Sequence, residues 1–504
     1  MTMSDTERRR AILLAGCVLL GACGGDGGTG PPPAGVSLAK ANADQRGPTG
    51  EPLPVPYVLR VTSGGAPSAG LRVRWSVPVG GGSLRDTTSV TDARGEVRAT
   101  HVLGPLGVQR VDAEVLDAAG TTVLGSTSFA ATALDTLPTQ AVSQLVGGSY
   151  LHDVFVRDGL AFVSAWTSGL VIYDVGNGAW GGAPSRPVEV SRLVIPSVVA
   201  AGPVNVHNAW WYWSAGGEKR YVLVGEERAG TVGSTSSGGI YVVDVTDLRT
   251  PALVASYRTP TAENSGVHNF WVDEAAGILY AAYYNGGVYA FDVTGTLAGD
   301  LSGRLLATRS FGAGSTYTWG VMRTGQWLYA ADMLSGLWQL DLAGAATPLR
   351  VAGGGDNVPE RYTSDLWIAG NGYAYTGTWG ALPRGGAGGL RGNMVKIWQV
   401  DSGSGALALV DSVAAPGATN VGDIEVSDDG RLLMFPTEAG SGPATTYWYR
   451  LADPRRPALR AQVTLASGVH TATFGRIRGR LYAFLTQNPP SPSIQVFDVT
   501  ALGR

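Results

Sequence analysis

Four of the five histidines in this 504-residue chain occupy one kind of place. His152-Asp153, His207-Asn208, His268-Asn269 and His470-Thr471 each open a short apolar segment with strand-like alternation. Imidazoles converging from neighbouring strands suit Zn, Cu or Fe, because the neutral ring nitrogen is a good ligand for all three. Three further segments carry Thr318, Ser364 and Gly422 in the same register, followed by Trp319, Asp365 and Asp423. Asp365 or Asp423 could add a carboxylate from a facing wall. The candidate ligand-binding residues are therefore His152, Asp153, His207, Asn208, His268, Asn269, Asp365, Asp423 and His470. His152, His207, His268 and His470 are the candidate ligands of a first-row transition metal.

The elements that must position these residues are repeats. An apolar strand ending in a polar residue recurs as Leu170-Val171-Ile172-Tyr173-Asp174, Ile240-Tyr241-Val242-Val243-Asp244, Val288-Tyr289-Ala290-Phe291-Asp292, Leu337-Trp338-Gln339-Leu340-Asp341 and Ile494-Gln495-Val496-Phe497-Asp498. Two more copies carry Gln399 and Arg450 at the Asp position. A period of about 50 residues with several short strands per unit is the signature of a β-propeller. Each unit reads as four strands, A to D: the histidines begin strand A, Leu160-Ala161-Phe162-Val163 is a strand B, the apolar–Asp element is strand C, and strand D follows a proline, as after Pro251. These features resemble the LVIVD-repeat propellers, which implies a seven-bladed wheel over residues 136–504. Strand A is innermost in such a wheel, so the histidines would ring one mouth of its channel. The last unit stops after strand C, and Ala141-Val142-Ser143-Gln144-Leu145-Val146 reads as the missing strand D that closes the ring. A closed ring removes exposed sheet edges.

The bland alternative for the histidines is a hydrogen bond inside each blade, with nothing bound. A purely structural histidine would be expected in every blade, so four of seven leans towards a shared site, although loss from degenerate repeats would leave the same pattern. Trp210-Trp211-Tyr212-Trp213, Phe270-Trp271 and Tyr447-Trp448-Tyr449 invite a sugar-stacking role, but wedge-filling between blades is the stronger reading.

Other chemistry is sparse. No Walker loop, HExxH, GxSxG or dinucleotide fingerprint occurs. Ser427-Asp428-Asp429-Gly430 starts like a sialidase box but continues Arg431-Leu432-Leu433 and reads as a hairpin turn. The only cysteines are Cys17 and Cys23, so the rest of the chain has neither disulfide nor thiolate nucleophile. Lys+Arg 37 against Asp+Glu 40 lacks the basic excess that nucleic acid demands. Aromatics at 9% and Gly without a period of three exclude disordered and collagen-like chains.

The N-terminus carries an address. Arg8-Arg9-Arg10 precede an apolar run from Ala11 to Ala22, too short to span a bilayer but suited to a signal peptide over residues 1–22. Leu20-Gly21-Ala22-Cys23 resembles the lipobox of bacterial lipoproteins, which implies diacylglycerol on Cys23 and a membrane partner through that lipid. Leu14-Ala15-Gly16-Cys17 also fits but leaves a shorter apolar run, and an ordinary secretory signal would make Cys23 a bystander. Residues 23–34, rich in Gly and Pro, form a tether. Gly24 in place of Asp points to the outer membrane.

Residues 35–134 alternate with period 2 in Val58–Val61, Leu71–Val77, Val97–Thr100 and Val111–Val115. Arg72-Val73-Arg74-Trp75-Ser76-Val77, Thr91-Asp92-Ala93-Arg94-Gly95-Glu96-Val97 and Phe129-Ala130-Ala131-Thr132-Ala133 resemble bacterial Ig-like domains, with Trp75 as buried anchor and His101 at a surface or edge. The expected architecture is thus all-β: an Ig-like β-sandwich followed by a seven-bladed β-propeller. The expected role is that of a lipid-anchored cell-envelope protein binding a protein or polymer ligand without catalysis, with an envelope protein or polysaccharide as partner. The alternative is a metal-dependent oxidoreductase or hydrolase using the histidine cluster, and a third reading is a scaffold subunit.

Overall fold

The computed structural model describes residues 35–503 apart from positions 54, 106, 135–137, 149, 261–263, 312–315, 343–348, 381–389, 402 and 440–442. Cys23, the segment 1–22 and the tether 23–34 lie outside the described residues.

From Thr139 to Asp498 the chain is a β-propeller. Seven antiparallel four-stranded sheets occur among the described residues, and one of them adds a short parallel strand, Gly299–Asp300, at its rim. The innermost strands are Asp153–Arg157, Val206–Tyr212, Phe270–Asp273, Thr318–Thr324, Tyr362–Ala369, Glu425–Val426 and Val469–Ile477. Each touches the next, and the last touches the first, so the sheets form a circle rather than an open stack. Thr139–Leu145 pairs antiparallel with Ser493–Asp498 and supplies the outer strand of the final sheet.

Period-2 patterning explains why the sheets stack. Leu160–Ser164 is buried at every position, with its two faces in different cores. Leu160 and Phe162 pack with Trp211 and Tyr241 of the following sheet, whereas Ala161 and Val163 pack with Phe484 and Val496 of the preceding one. A strand covered on both faces reads as a continuous apolar run, which is why these segments stand out in the sequence. The Asp that ends strand C is a turn cap. Asp244 accepts from the Thr246 N–H at 2.9 Å and Asp292 from the Thr294 N–H at 2.8 Å, an Asx turn that starts the link to strand D. Gly287 precedes strand C with φ +88°, and a Cβ there would collide with the Arg309 carbonyl of strand D.

Residues 36–134 form two main sheets that face each other. Val36–Ala41, Tyr57–Ser63, Ala66–Pro67 and Glu96–Ala99 make one; Gln45–Pro48, Val123–Leu134, Gly107–Leu116, Arg72–Val79 and Thr88–Val90 make the other. Trp75, 2% exposed, sits 5.8 Å from the Phe129 ring in their shared core, with its N–H donated to Ser89 Oγ at 2.8 Å. His101 is not at a surface or edge. It is fully buried, because its strand His101–Leu103 folds inward beside Tyr57.

Candidate functional site

The histidine register is set by a backbone irregularity. In strand A of the second sheet, Val206 pairs with Glu226 and Asn208 with Gly225, so His207 is the extra residue of a bulge. The same break falls at His470 in the last sheet. A bulge turns the extra side chain out of the regular pleat, here to the channel mouth. This register corrects the alignment of the fourth sheet by one residue. Thr318 pairs with Asp332 and Gly320 with Ala331, so Trp319, not Thr318, holds the histidine position. Ser364 and Gly422 hold it in the next two sheets.

All four histidines meet there. His152 and His207 have ring centroids 3.9 Å apart, His152 and His470 4.2 Å, and His207 and His268 4.1 Å. Trp319 lies 4.2 Å from His268, Trp379 lies 4.8 Å from Trp319 and 5.8 Å from His470, and the circle closes. The imidazoles are 1–8% exposed. Both nitrogens of His207, Nδ1 of His152 and Nε2 of His268 are buried without a hydrogen-bond partner. Burying a polar group unpaired is costly, so these nitrogens mark a place built for something more than packing.

Two carboxylates that sequence reasoning missed complete the mouth. Glu227 Oε2 lies 3.6 Å from His152 Nε2 and 3.9 Å from His207 Nε2, and Tyr284 Oη donates to its other oxygen. Glu438 Oε1 lies 2.5 Å from His470 Nδ1, held by the Asn420 amide at 3.0 Å. Both hold one structural position of the repeat, which backbone pairing reveals and residue type does not. Glu227, Met333, Glu438 and Asn488 each donate a backbone N–H to the carbonyl two residues before the mouth position of their own sheet, at the exit of strand B. With Trp166, Tyr284 and Trp379 this exit lines a chamber of about 380 Å³ above the histidines.

Among the described residues, one group of side chains has metal-binding spacing: His152, His207 and Glu227, whose ligand atoms all lie within 4.8 Å of one another. His268 and His470 stand beside it with Nδ1 engaged, by the Trp319 carbonyl at 2.6 Å and by Glu438. Such a contact leaves Nε2 as the lone-pair nitrogen and fixes the ring, as the outer partners of metal-bound histidines do. Burial, reinforced by the neighbouring imidazoles, holds His152 and His207 far below the ordinary histidine range, so both are neutral. Burial also lowers His268, to about 3. For His470 burial is outweighed by the Glu438 carboxylate, and its pKa rises.

Asp153, Asn208, Asn269, Asp365 and Asp423 lie one residue deeper, lining a second cavity of about 330 Å³ below the histidines. Asp365 and Asp423 are thus placed below the His–Glu227 group and not in it. Several of these side chains tie blade to blade. Asn269 Nδ2 donates to Asp365 Oδ1 at 3.0 Å, and the Ala472 N–H donates to Asp423 Oδ2 at 2.6 Å. The aromatic runs divide between two roles. Trp211, Tyr212, Phe270 and Trp448 fill wedges between sheets, whereas Trp210 and Trp271 face the lower cavity.

Residues 148–194 match the LVIVD repeat model. No curated protein matches the chain. Among solved structures, the Cps50 (Swd1) β-propeller domain of Myceliophteria thermophila is 12% identical over 71% of this chain and 100% of its own, with a TM-score of 0.47. A putative 6-phosphogluconolactonase from Bacteroides fragilis is 13% identical over 72% and 94%, with a TM-score of 0.41. A hypothetical selenium-binding protein from Sulfolobus tokodaii is 12% identical over 72% and 91%, with a TM-score of 0.43. The propeller architecture rests on the sheet order and the circle of inner strands, not on these likenesses.

Proposed function

We propose that this chain is a cell-envelope binding protein whose seven-bladed propeller holds a first-row transition metal ion at its channel mouth, through His152, His207 and Glu227. The observation that carries this reading is the buried group of two neutral imidazoles and one carboxylate with ligand atoms within 4.8 Å, both nitrogens of His207 being otherwise unpartnered. A mixed nitrogen and oxygen set of this kind suits Zn, Cu or Fe. His268 and His470 stand close enough to extend the set. Protein purified without chelator or polyhistidine tag should contain stoichiometric metal by elemental analysis, and His152→Ala/His207→Ala should contain none. Metal-free wild-type protein that also fails to take up Co(II) would end this reading.

The second reading is catalysis at that ion, as an oxidoreductase or hydrolase. It is favoured by the chamber above the histidines, which leaves room beside the three ligands for a substrate. Recognition of an envelope protein or polysaccharide by the wheel's outer faces is the non-catalytic alternative. Activity screens of the metal-loaded and metal-stripped protein separate the two.

Residues 35–134 serve in this reading as an Ig-like spacer, and Cys23 carries the lipid that fixes the spacer to the outer membrane after removal of residues 1–22. Metabolic labelling with an alkynyl fatty acid should mark the wild type and not Cys23→Ala. Equal labelling of both would discard the anchor.

A further inference from the structure

The lower cavity has a composition of its own. One half of its wall is aromatic: Phe155 and Trp210 have ring centroids 5.3 Å apart, Trp210 and Trp271 5.5 Å, and Trp271 and Trp367 6.4 Å. Asp153, Asp365, Asp423 and Glu425 also line it. The basic side chain on the same wall is Arg157, already bound to Glu274 at 2.6 Å. His152 and His207 form the roof, and the buried, unpartnered nitrogens of His207 border the same space. Carboxyls gathered in a confined space without a cation repel one another and lose hydration, so they must hold protons or a positive guest. Burial raises Asp365, Asp423 and Glu425, although they accept from Asn269 Nδ2 at 3.0 Å, the Ala472 N–H at 2.6 Å and the Phe474 N–H at 3.0 Å respectively.

We propose that this cavity is a binding site for a small organic ammonium ion, its charge held by Asp365, Asp423 and Glu425 and its alkyl or aryl body against Trp210, Trp271 and Trp367. Aromatic faces attract cations through the ring quadrupole, most strongly when water is excluded. A bare metal ion would gain from the carboxylates but not from the half-ring of indoles, whereas a neutral alcohol or sugar would gain from the indoles alone. The volume of about 330 Å³ stands at the small end of ligand pockets, which run to about 1,000 Å³, and fits a monoamine or short diamine. This site shares its roof, His152 and His207, with the proposed metal group but draws its charge and its aromatic contacts from other residues.

Calorimetric titration of the full chain with benzylammonium, putrescine, benzyl alcohol and calcium chloride at neutral pH tests the idea. One-site binding of at least one amine is expected, about tenfold or more tighter than benzyl alcohol. Asp365→Asn/Asp423→Asn should weaken amine binding by about tenfold or more without changing Co(II) uptake at the mouth. Should that double variant not fold, Glu425→Gln and Trp271→Leu replace it, each expected to weaken the amine. Equal affinity for amine and alcohol overturns the proposal, as does tighter binding of calcium than of either amine. No heat with either amine at millimolar concentration, or full affinity in the variants, overturns it too.

Discussion

The indole of Trp379 fills the place that Gly422 leaves open in the ring of mouth residues. A Cβ at position 422 would sit 3.0 Å from that indole and 3.4 Å from the His470 carbonyl. Gly422→Ala should therefore push Trp379 towards the histidines and destabilise the propeller by about 1–3 kcal/mol through overpacking. In a Trp379→Ala background the same change should cost much less. A double-mutant cycle by urea denaturation reads this coupling, and strict additivity would show that the two positions do not compete for space.

Glu227 owes its placement to Tyr284, whose hydroxyl donates to Oε1. Tyr284→Phe keeps the ring and removes only that donor. Outer partners of metal ligands are worth about 10–100-fold in affinity, so Co(II) titration of the variant should show a loss of that size, with apo stability lowered by about 1–3 kcal/mol for the acceptor left unpaired. Unaltered affinity would mean that Glu227 is held by other contacts.

Ring closure depends on a strand drawn from the start of the propeller. Thr139–Leu145 pairs with Ser493–Asp498, and the Gln495 amide donates to Ser143 Oγ at 2.7 Å. Deleting residues 139–145 uncovers that strand as an edge able to pair with another chain. The deletion should lower the melting temperature and yield concentration-dependent oligomers in size-exclusion chromatography. A monomer with wild-type melting would show that the circle holds without this strand.

Burial pushes the Asp365 carboxyl up to about 6, against the hydrogen bonds from Asn269 and Asp423. The folded state then binds this proton more tightly than the unfolded chain does. The associated stability is full below pH about 4 and is lost as pH rises through about 6. Asp365→Asn removes this dependence. Chemical denaturation from pH 4 to pH 8 should show the variant gaining on the wild type across that window, and a constant difference would contradict the assignment.

How much of this was legible beforehand follows from which signals are local. Apolar runs such as Leu160–Ser164 announce strands covered on both faces, and the Asp at 174, 244, 292, 341 and 498 announces the turn after strand C. The histidine register was legible for the same reason, since each of the four opens an inner strand. Thr318 was misaligned with them because a bulge adds a residue without altering the apolar pattern, and only the pairing of Thr318 with Asp332 reveals the shift.

The sequence by itself determined the repeat, its strands and the common register of four histidines, because each depends on side-chain periodicity along a single segment. The tertiary structure alone decided which atoms face one another. Glu227 and Glu438 leave strand B, not strand A, and reach the histidines because curvature of the wheel brings those exits over the mouth. Asp365 and Asp423, each one residue past a mouth position, line the aromatic-walled cavity below instead. No pattern within one repeat encodes that choice; it arises from how neighbouring blades tilt around a common axis.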